Sequence, residues 1–387
     1  MTHVFVIAGE ASGDTLGAGL IAGLRARDPS LVVSGVGGPK MAAEGLTSLF
    51  DMDDLSVMGL AEVLARYPLL RRRLKQTIAA GVEAAPDVVI GIDSPDFCLR
   101  AYRGIRAARP DQRIVHYVAP SVWAWRPGRA RTMARDVDQV LALLPFEPPY
   151  MEAAGMECDV VGHPAARAPV ASTEAAEAFR ARHDIDGPLL TVLPGSRTSE
   201  IARLAEPFGE ALKALGRSGL RVVVPVAPGK DAEVARATVD WPGAPILLPP
   251  DEVEDRRAAL AASDAALAAS GTVSLELARA GLPMVIAYDM APLSRWIISR
   301  MLQVDTVTLV NLVSESRVVP EFIGKNCRPA GIAGALAHLL DDAKARQAQL
   351  DAMALTMERL GADGPPPGDR AAEAVLRRLE DRSSRHR

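Results

Sequence analysis

The chain has 387 residues, 49% of them hydrophobic and 24% charged, with a formal net charge of −4 at pH 7. Such a chain is long enough for two globular domains with real cores, and its charge excludes a general nucleic-acid binder, whose domain would be basic. Cys98, Cys158 and Cys327 are too widely spaced for a zinc pattern or a disulfide framework, the histidines show no metal-ligand spacing, and no uncharged apolar run reaches the ~18 residues of a spanning helix. No basic segment with an apolar core precedes the first strand, so a cytosolic protein without a signal peptide is expected.

From the N-terminus, apolar runs rich in valine and isoleucine alternate with longer amphipathic segments: HVFVIA, SLVVSGV, DVVIGI, RIVHYVA, QVLALL and CDVVG. Uninterrupted apolar strands alternating with helices predict a parallel sheet covered on both faces. The glycines after the first run, Gly9, Gly13, Gly17 and Gly19, miss the dinucleotide spacing G-x-G-x-x-G, and GVGG at Gly35–Gly38 misses it too. The D-x-D within Asp51–Asp54 is better explained by helix capping than by a metal-held sugar nucleotide. In residues 55–78, Leu60, Val63, Leu64, Tyr67, Leu70 and Leu74 follow helical spacing beside Arg66, Arg71, Arg72, Arg73 and Lys75. That is a basic amphipathic helix, a pattern of membrane-surface binding or of a helix packed on the sheet with a solvated basic face. Pro68 predicts a bend or two short helices there.

The next run, DVVIGIDSPDF, ends in two carboxylates. Ligands of open α/β sheets bind beyond the carboxyl ends of strands, which is where Asp93 falls. Pro95 keeps Ser94 out of the helical region, and Asp96 is expected to cap the helix that follows. Trp123 and Trp125 alternate in PSVWAWR before Arg126, Arg129 and Arg131; they either line a path for substrate or pin the loop to the core.

HPAARAPVASTEAAEA reads as a hinge, after which the rhythm resumes with PLLTVLP, LRVVVPVA, APILLP, AALAAS and PMVIAY. In TVLPGSRTSE a buried strand meets a Pro-Gly turn and a helix start, with Ser196 and Arg197 on the turn. Backbone amides there attract anions, and arginine adds a fork of donors for phosphate oxygens. AALAASGTVSLE places Ser270, Gly271 and Thr272 at another strand exit, with Glu276 one turn into the helix. There amides could hold a diphosphate and a carboxylate could accept from both ribose hydroxyls. After Gly324 the chain turns helical, with terminal helices at 343–360 and 369–382 separated by GADGPPPGD. The expected fold is α/β: two doubly wound, Rossmann-like parallel-sheet domains, 1–165 and 166–342, around a cleft. The C-terminal helices at 343–387 either pack back on the first domain or exchange in a dimer.

The stretches AGEASGDTLGAGLI, VMGLAEVL, GIDSPDF, HYVAPSVWAWR, LPGSR and ASGTVSLE, and NL at Asn311, occur in this order along nearly the whole chain. Together they resemble the lipid-A-disaccharide synthase family. AGEASGD and PSVWAWR are the specific ones; LPGSR and the Ser-Gly-Thr turn are shared with other transferases. The resemblance implies the GT-B glycosyltransferase fold and a metal-independent, inverting transfer without cofactor. The donor would be UDP-2,3-diacylglucosamine and the acceptor 2,3-diacylglucosamine 1-phosphate, giving a β-1,6 disaccharide and UDP. It also implies Asp93 as general base and Glu10 as a second active-site acid. Ser196, Arg197, Ser270, Gly271 and Thr272 would then hold the diphosphate, Glu276 the ribose, and Asn311 would lie near the nucleotide or donor sugar. Acylated substrates favour the membrane reading of residues 55–78, and with it a peripheral protein on the cytoplasmic face of the inner membrane, monomeric or a segment-exchanged homodimer. The rival readings are a UDP-N-acetylglucosamine 2-epimerase of the same fold class, a venus-flytrap sugar-binding protein and, weakest, a dehydrogenase.

Overall fold

The structure is a computed structural model describing residues 1–56, 60–125, 128–291 and 304–385; the side chains of 60–63, 124, 125 and 382–385 lie outside that description. The chain divides into two compact units, Met1–Pro164 with Asp363–Arg387, and Ala165–Ala362. The helices expected together at the C-terminus therefore part company. Ala343–Arg359 belongs to the second unit and Pro367–Arg385 to the first.

The first unit is built on β1 (His3–Ala8), β2 (Val32–Val36), β3 (Val88–Ile92), β4 (Arg113–Tyr117), β5 (Gln139–Ala142) and β6 (Glu157–Val160). They form one parallel sheet in the order β2-β1-β3-β4-β5-β6. Side chains alternate across a strand, so both faces of a central strand must be apolar when both are covered. Val4, Val6 and Ala8 of β1 pack on one face with Leu20, Ile21 and Leu24 of the helix Ala11–Arg27. Phe5 and Ile7 pack on the other with Tyr102 and Ile105 of the helix Pro95–Ala108.

The helix Pro367–Arg385 completes the first of these faces through Ala371, Ala372 and Val375. It lies so close to Ala11–Arg27 that a Cβ on Gly368 would stand 2.3 Å from the Gly19 carbonyl oxygen. Ion pairs set its ends: Arg27 with Asp369 (3.5 Å) and Glu373 (3.8 Å), and Arg378 with Asp159 (3.4 Å).

The second unit repeats the plan with β7 (Leu189–Leu193), β8 (Arg221–Pro225), β9 (Ile246–Leu248), β10 (Ala265–Ala268), β11 (Met284–Tyr288) and β12 (Glu321–Ile323), in the parallel order β12-β11-β10-β7-β8-β9. Three-residue β12 is not apparent in the sequence. It is half-buried, and its Glu321 faces the preceding loop, accepting from Thr306 Oγ1 (2.7 Å) and the Val307 and Thr308 amides (3.0 and 2.5 Å).

Two expectations change. Of the bend or division expected at Pro68, the division does not occur: the helix Leu60–Ala84 runs as one element through it, and Pro68 is exposed, so water can serve the carbonyl its missing N–H leaves unpaired. The helix after β3 starts at Pro95, not Asp96. Ser94 is its N-cap residue, and proline at the first helical position lacks only an N–H that would be unpaired anyway.

The glycine seam gives a test. Gly368→Ala should destabilise the protein by roughly 1–3 kcal/mol through overpacking against backbone. Gly334→Ala, in the helix Pro329–Asp341 with nothing within 4 Å of its Cβ position, should stabilise by about 0.5–1 kcal/mol. Urea unfolding of both variants measures this; a Gly368→Ala protein as stable as its parent would mean that the two helices do not approach so closely.

Candidate active site

In the first sheet the order reverses between β1 and β3: β2 lies beyond β1, and β4 beyond β3. Ala8 pairs with Ile92, so the turns Gly9–Glu10 and Asp93–Ser94 leave the sheet side by side. Such switch points are where open α/β sheets bind ligands. The two turns pack closely: a Cβ at Gly9 would meet Ser94 Oγ at 2.8 Å, so the serine side chain would have to turn away. Asp93 and Ser94 are both left-handed, with φ of +53° and +42°. Non-glycine residues in that region cost of order 1–3 kcal/mol each and persist only where surroundings enforce them. Here the Asp93 N–H donates to the Tyr117 carbonyl (2.9 Å), while the Phe97 and Cys98 amides donate to the Ser94 carbonyl (both 3.1 Å). The half-buried Asp93 side chain stands on this turn.

The floor beneath is neutral. Tyr102 Oη and His116 Nδ1 are 2.9 Å apart, both fully buried, and only glycine fits at position 91 above the phenol. Burial, helped by Arg129, pushes the imidazole down to about 3, and burial holds the phenol well above its usual value. Glu147, after β5, is buried too, and its carboxyl is pushed up to about 8 by burial against the pull of the Leu144 amide (3.0 Å).

The two acids of AGEASGD separate. Glu10 is exposed and extended at the N-cap of Ala11–Arg27. Asp14 is buried and accepts the Gly38, Lys40 and Met41 amides at 2.9–3.0 Å, bracing the GVGGPK turn beside the switch point. Trp123 is buried with its ring edge-on to Phe146, centroids 5.1 Å apart, which ties its loop to the core. The side chain of Trp125, and Arg126, lie outside the described residues.

In the second sheet the reversal falls between β7 and β10, where Leu193 pairs with Ala268. This brings Ser196–Arg197 and Ser270–Thr272 to adjacent strand exits. Glu200 organises the first loop. Its carboxylate accepts the Ser196 and Arg197 amides (3.1 and 3.3 Å) and the Arg197 guanidinium (3.2 Å), and Tyr288 Oη lies 3.5 Å away. Those two amides are thus engaged, whereas the Arg197 side chain is 62% exposed. At the second loop nothing lies within 4 Å of the Cβ position of Gly271, so its backbone is open to a ligand. Glu276 is ion-paired at 2.7 Å with Arg256 of the helix Val253–Ala262, which fixes one carboxylate oxygen.

Asn311 is not exposed to such a ligand. It is 1% exposed, donates to Thr306 Oγ1 (3.2 Å) and the Val319 carbonyl (2.9 Å), and accepts the Val319 amide (3.1 Å). It braces residues 306–319. Asp51 caps the turn Met52–Asp54 by accepting the Asp53 amide (3.0 Å), and Asp54 pairs with Arg73 (2.7 Å).

The basic helix is only partly free. Leu64 and Tyr67 are 65% and 52% exposed, Arg71 and Arg72 are exposed, and Leu70 is half-buried. Leu74 packs inward on the core that holds Phe5 and Tyr102. Arg73, besides Asp54, bonds Gln76 (2.9 Å) and lies 4.6 Å over the Phe50 ring. Arg73 and Leu74 are therefore corrected from membrane contacts to packing residues: helical spacing shows a face, but not which neighbours in the fold cover it. The side chains of Leu60 and Val63 lie outside the described residues. Among the described residues no helix is long and apolar enough to cross a membrane, and no cluster of three or more His, Cys, Asp or Glu is placed to hold a metal.

Comparison with known proteins places this geometry. The chain is 55% identical to the lipid-A-disaccharide synthase of Ruegeria pomeroyi over 98% of its length and 96% of that protein's. To the Rhodospirillum centenum lipid-A-disaccharide synthase it is 49% identical, over 96% and 94%. Among solved structures, the calicheamicin glycosyltransferase CalG4 superposes with a TM-score of 0.55 at 16% identity, covering 98% of each chain. The UDP-GlcNAc 2-epimerase of Neisseria meningitidis bound to UDP-GlcNAc gives 0.61 at 11% identity, covering 98% of this chain and all of that one. These likenesses show the GT-B fold alone, so the epimerase is a fold neighbour. The family model for Lipid-A-disaccharide synthetase matches residues 4–363, and the chain belongs to that family of glycosyltransferases.

Proposed function

We propose that the protein transfers 2,3-diacylglucosamine from UDP to the 6-hydroxyl of 2,3-diacylglucosamine 1-phosphate with inversion, giving the β-1,6 disaccharide and UDP. The observation that carries this reading, beside family membership, is the strained Asp93–Ser94 turn. It holds a carboxylate at the switch point of the first sheet, above a neutral floor.

The acceptor oxygen forms its bond to the anomeric carbon as the bond from that carbon to the diphosphate breaks. Asp93 takes the hydroxyl proton, a general-base role that needs an ionised carboxylate within hydrogen-bond reach. The bonding electrons leave on UDP. The exposed Arg197 guanidinium and the open backbone at Ser270–Thr272 supply donors where that charge grows. Ser196 contributes its hydroxyl to the same loop. Glu276 accepts ribose hydroxyls with the carboxylate edge that Arg256 leaves free, and Glu10 binds hydroxyls of a sugar. Asn311 acts by holding the chain near the nucleotide.

Leu64, Tyr67 and Leu70, flanked by Arg71 and Arg72, form the contact with the cytoplasmic face of the inner membrane. Two exposed apolar side chains beside cations fit a surface of acyl chains under anionic head groups, each cation adding roughly 1 kcal/mol.

Asp93→Asn should bind UDP normally and lower kcat by at least ~10²-fold; acceptor-dependent UDP release measures it. Turnover close to that of the parent enzyme would remove Asp93 from the role of base. Replacing Leu64 and Tyr67 together with serine should weaken co-sedimentation with phosphatidylglycerol vesicles at least ~10-fold, from the ~1.5–3 kcal/mol of burying one such side chain. Unchanged co-sedimentation would contradict the membrane contact.

A further inference from the structure

Outside the Asp93 turn, the first unit carries a second feature that the reaction above does not use. The helix Pro95–Ala108 buries Cys98, Ala101, Tyr102 and Ile105 against the sheet. Its opposite face carries Asp96, Leu99, Arg100 and Arg103, spaced as helical neighbours. Across from them, Arg129 and Thr132 stand on the short helix Gly128–Met133. Together these six side chains line a cavity of about 650 Å³.

The charge in this cavity is lopsided. Three guanidinium groups line it against one carboxylate, in a chain whose net charge is −4. Arg103 is anchored from outside the cavity by the mostly buried Asp136, through Nε at 2.7 Å. That contact fixes its stem and leaves the outer nitrogens of its fork for another acceptor. Arg129 meets Asp96 only at 3.6 Å, and Asp96 is 95% exposed, so solvent screens the pair and it contributes little. Arg100 is exposed and has no acidic partner within ion-pair distance among the described residues. Three guanidinium forks lining one cavity match a phosphate monoester, whose oxygens accept several charge-assisted hydrogen bonds at once.

Position identifies which phosphate. The lining begins at Asp96, three residues after Asp93, and Arg100 stands about 8 Å along the helix axis from Pro95 at 1.5 Å rise per residue. The cavity therefore lies on the helix that directly follows the Asp93 turn. We propose that this cavity binds the phosphate of the acceptor sugar, and that it makes the enzyme select an acceptor carrying a phosphomonoester at C1. The proposal rests on the reading that the first unit binds the acceptor. Arg100 and Arg129 are then substrate-binding residues that set acceptor choice.

Steady-state kinetics in neutral detergent micelles test this, with the acceptor bearing its 1-phosphate and with the same sugar lacking it. Arg100→Gln and Arg129→Gln should each raise KM for the phosphorylated acceptor about ten- to hundredfold, the loss of one charge-assisted hydrogen bond. KM for the UDP-linked donor and for the unphosphorylated acceptor should not change. Arg100→Lys should recover part of the loss, because it keeps the charge and not the fork. An unchanged KM for the phosphorylated acceptor in both glutamine variants would overturn the assignment, as would equal losses with both acceptors. So would variants that keep acceptor KM in micelles and lose binding to phosphatidylglycerol vesicles, which would assign the cavity to lipid head groups. A parent enzyme that releases no UDP with either acceptor would overturn the functional reading itself, and this proposal with it.

Discussion

A parallel sheet whose strand order reverses near its middle must leave a gap. Two neighbouring strands there send their connections to opposite faces, and nothing covers the ends between them. The protein builds this constraint twice, between β1 and β3 and between β7 and β10. The chemistry-bearing residues of each unit follow from it. Glu10 and Asp93 leave the first sheet next to one another because Ala8 and Ile92 are paired, and the 196–197 and 270–272 loops meet because Leu193 and Ala268 are.

The two exits are furnished differently, in ways that suit different partners. The first carries carboxylates over a floor of buried, uncharged tyrosine and histidine. Its glycines at 9 and 91 are positions where a side chain would collide with Ser94 or Tyr102. The second is held open by its own internal acid, Glu200, which ties down the LPGSR loop and leaves Arg197 reaching outward. Strain is concentrated at the first exit, in two consecutive left-handed residues that are not glycine.

Much of this was legible in the sequence, because strands buried on both faces are written as unbroken apolar runs. The strand exits, and so the positions of Asp93, Arg197 and Gly271, follow from those runs. What escaped depends on partners distant in the chain. Asp14 resembles any helix acid until its three acceptor contacts with residues 38–41 are seen. Arg73 and Leu74 share helical spacing with the exposed Leu64 and Tyr67, yet Phe50, Asp54 and the core claim them. Asn311 carries a family motif whose side chain faces inward. Glu200 was within reach, since an acid three residues after an N-cap is a capping signal.

Amide hydrogen exchange with and without UDP tests most directly the division of labour between the two strand exits. Protection by UDP is expected at residues 195–198 and 269–276, with residues 9–14 and 93–98 exchanging as in the free protein. Protection confined to the first unit, with 269–276 unaffected, would contradict it.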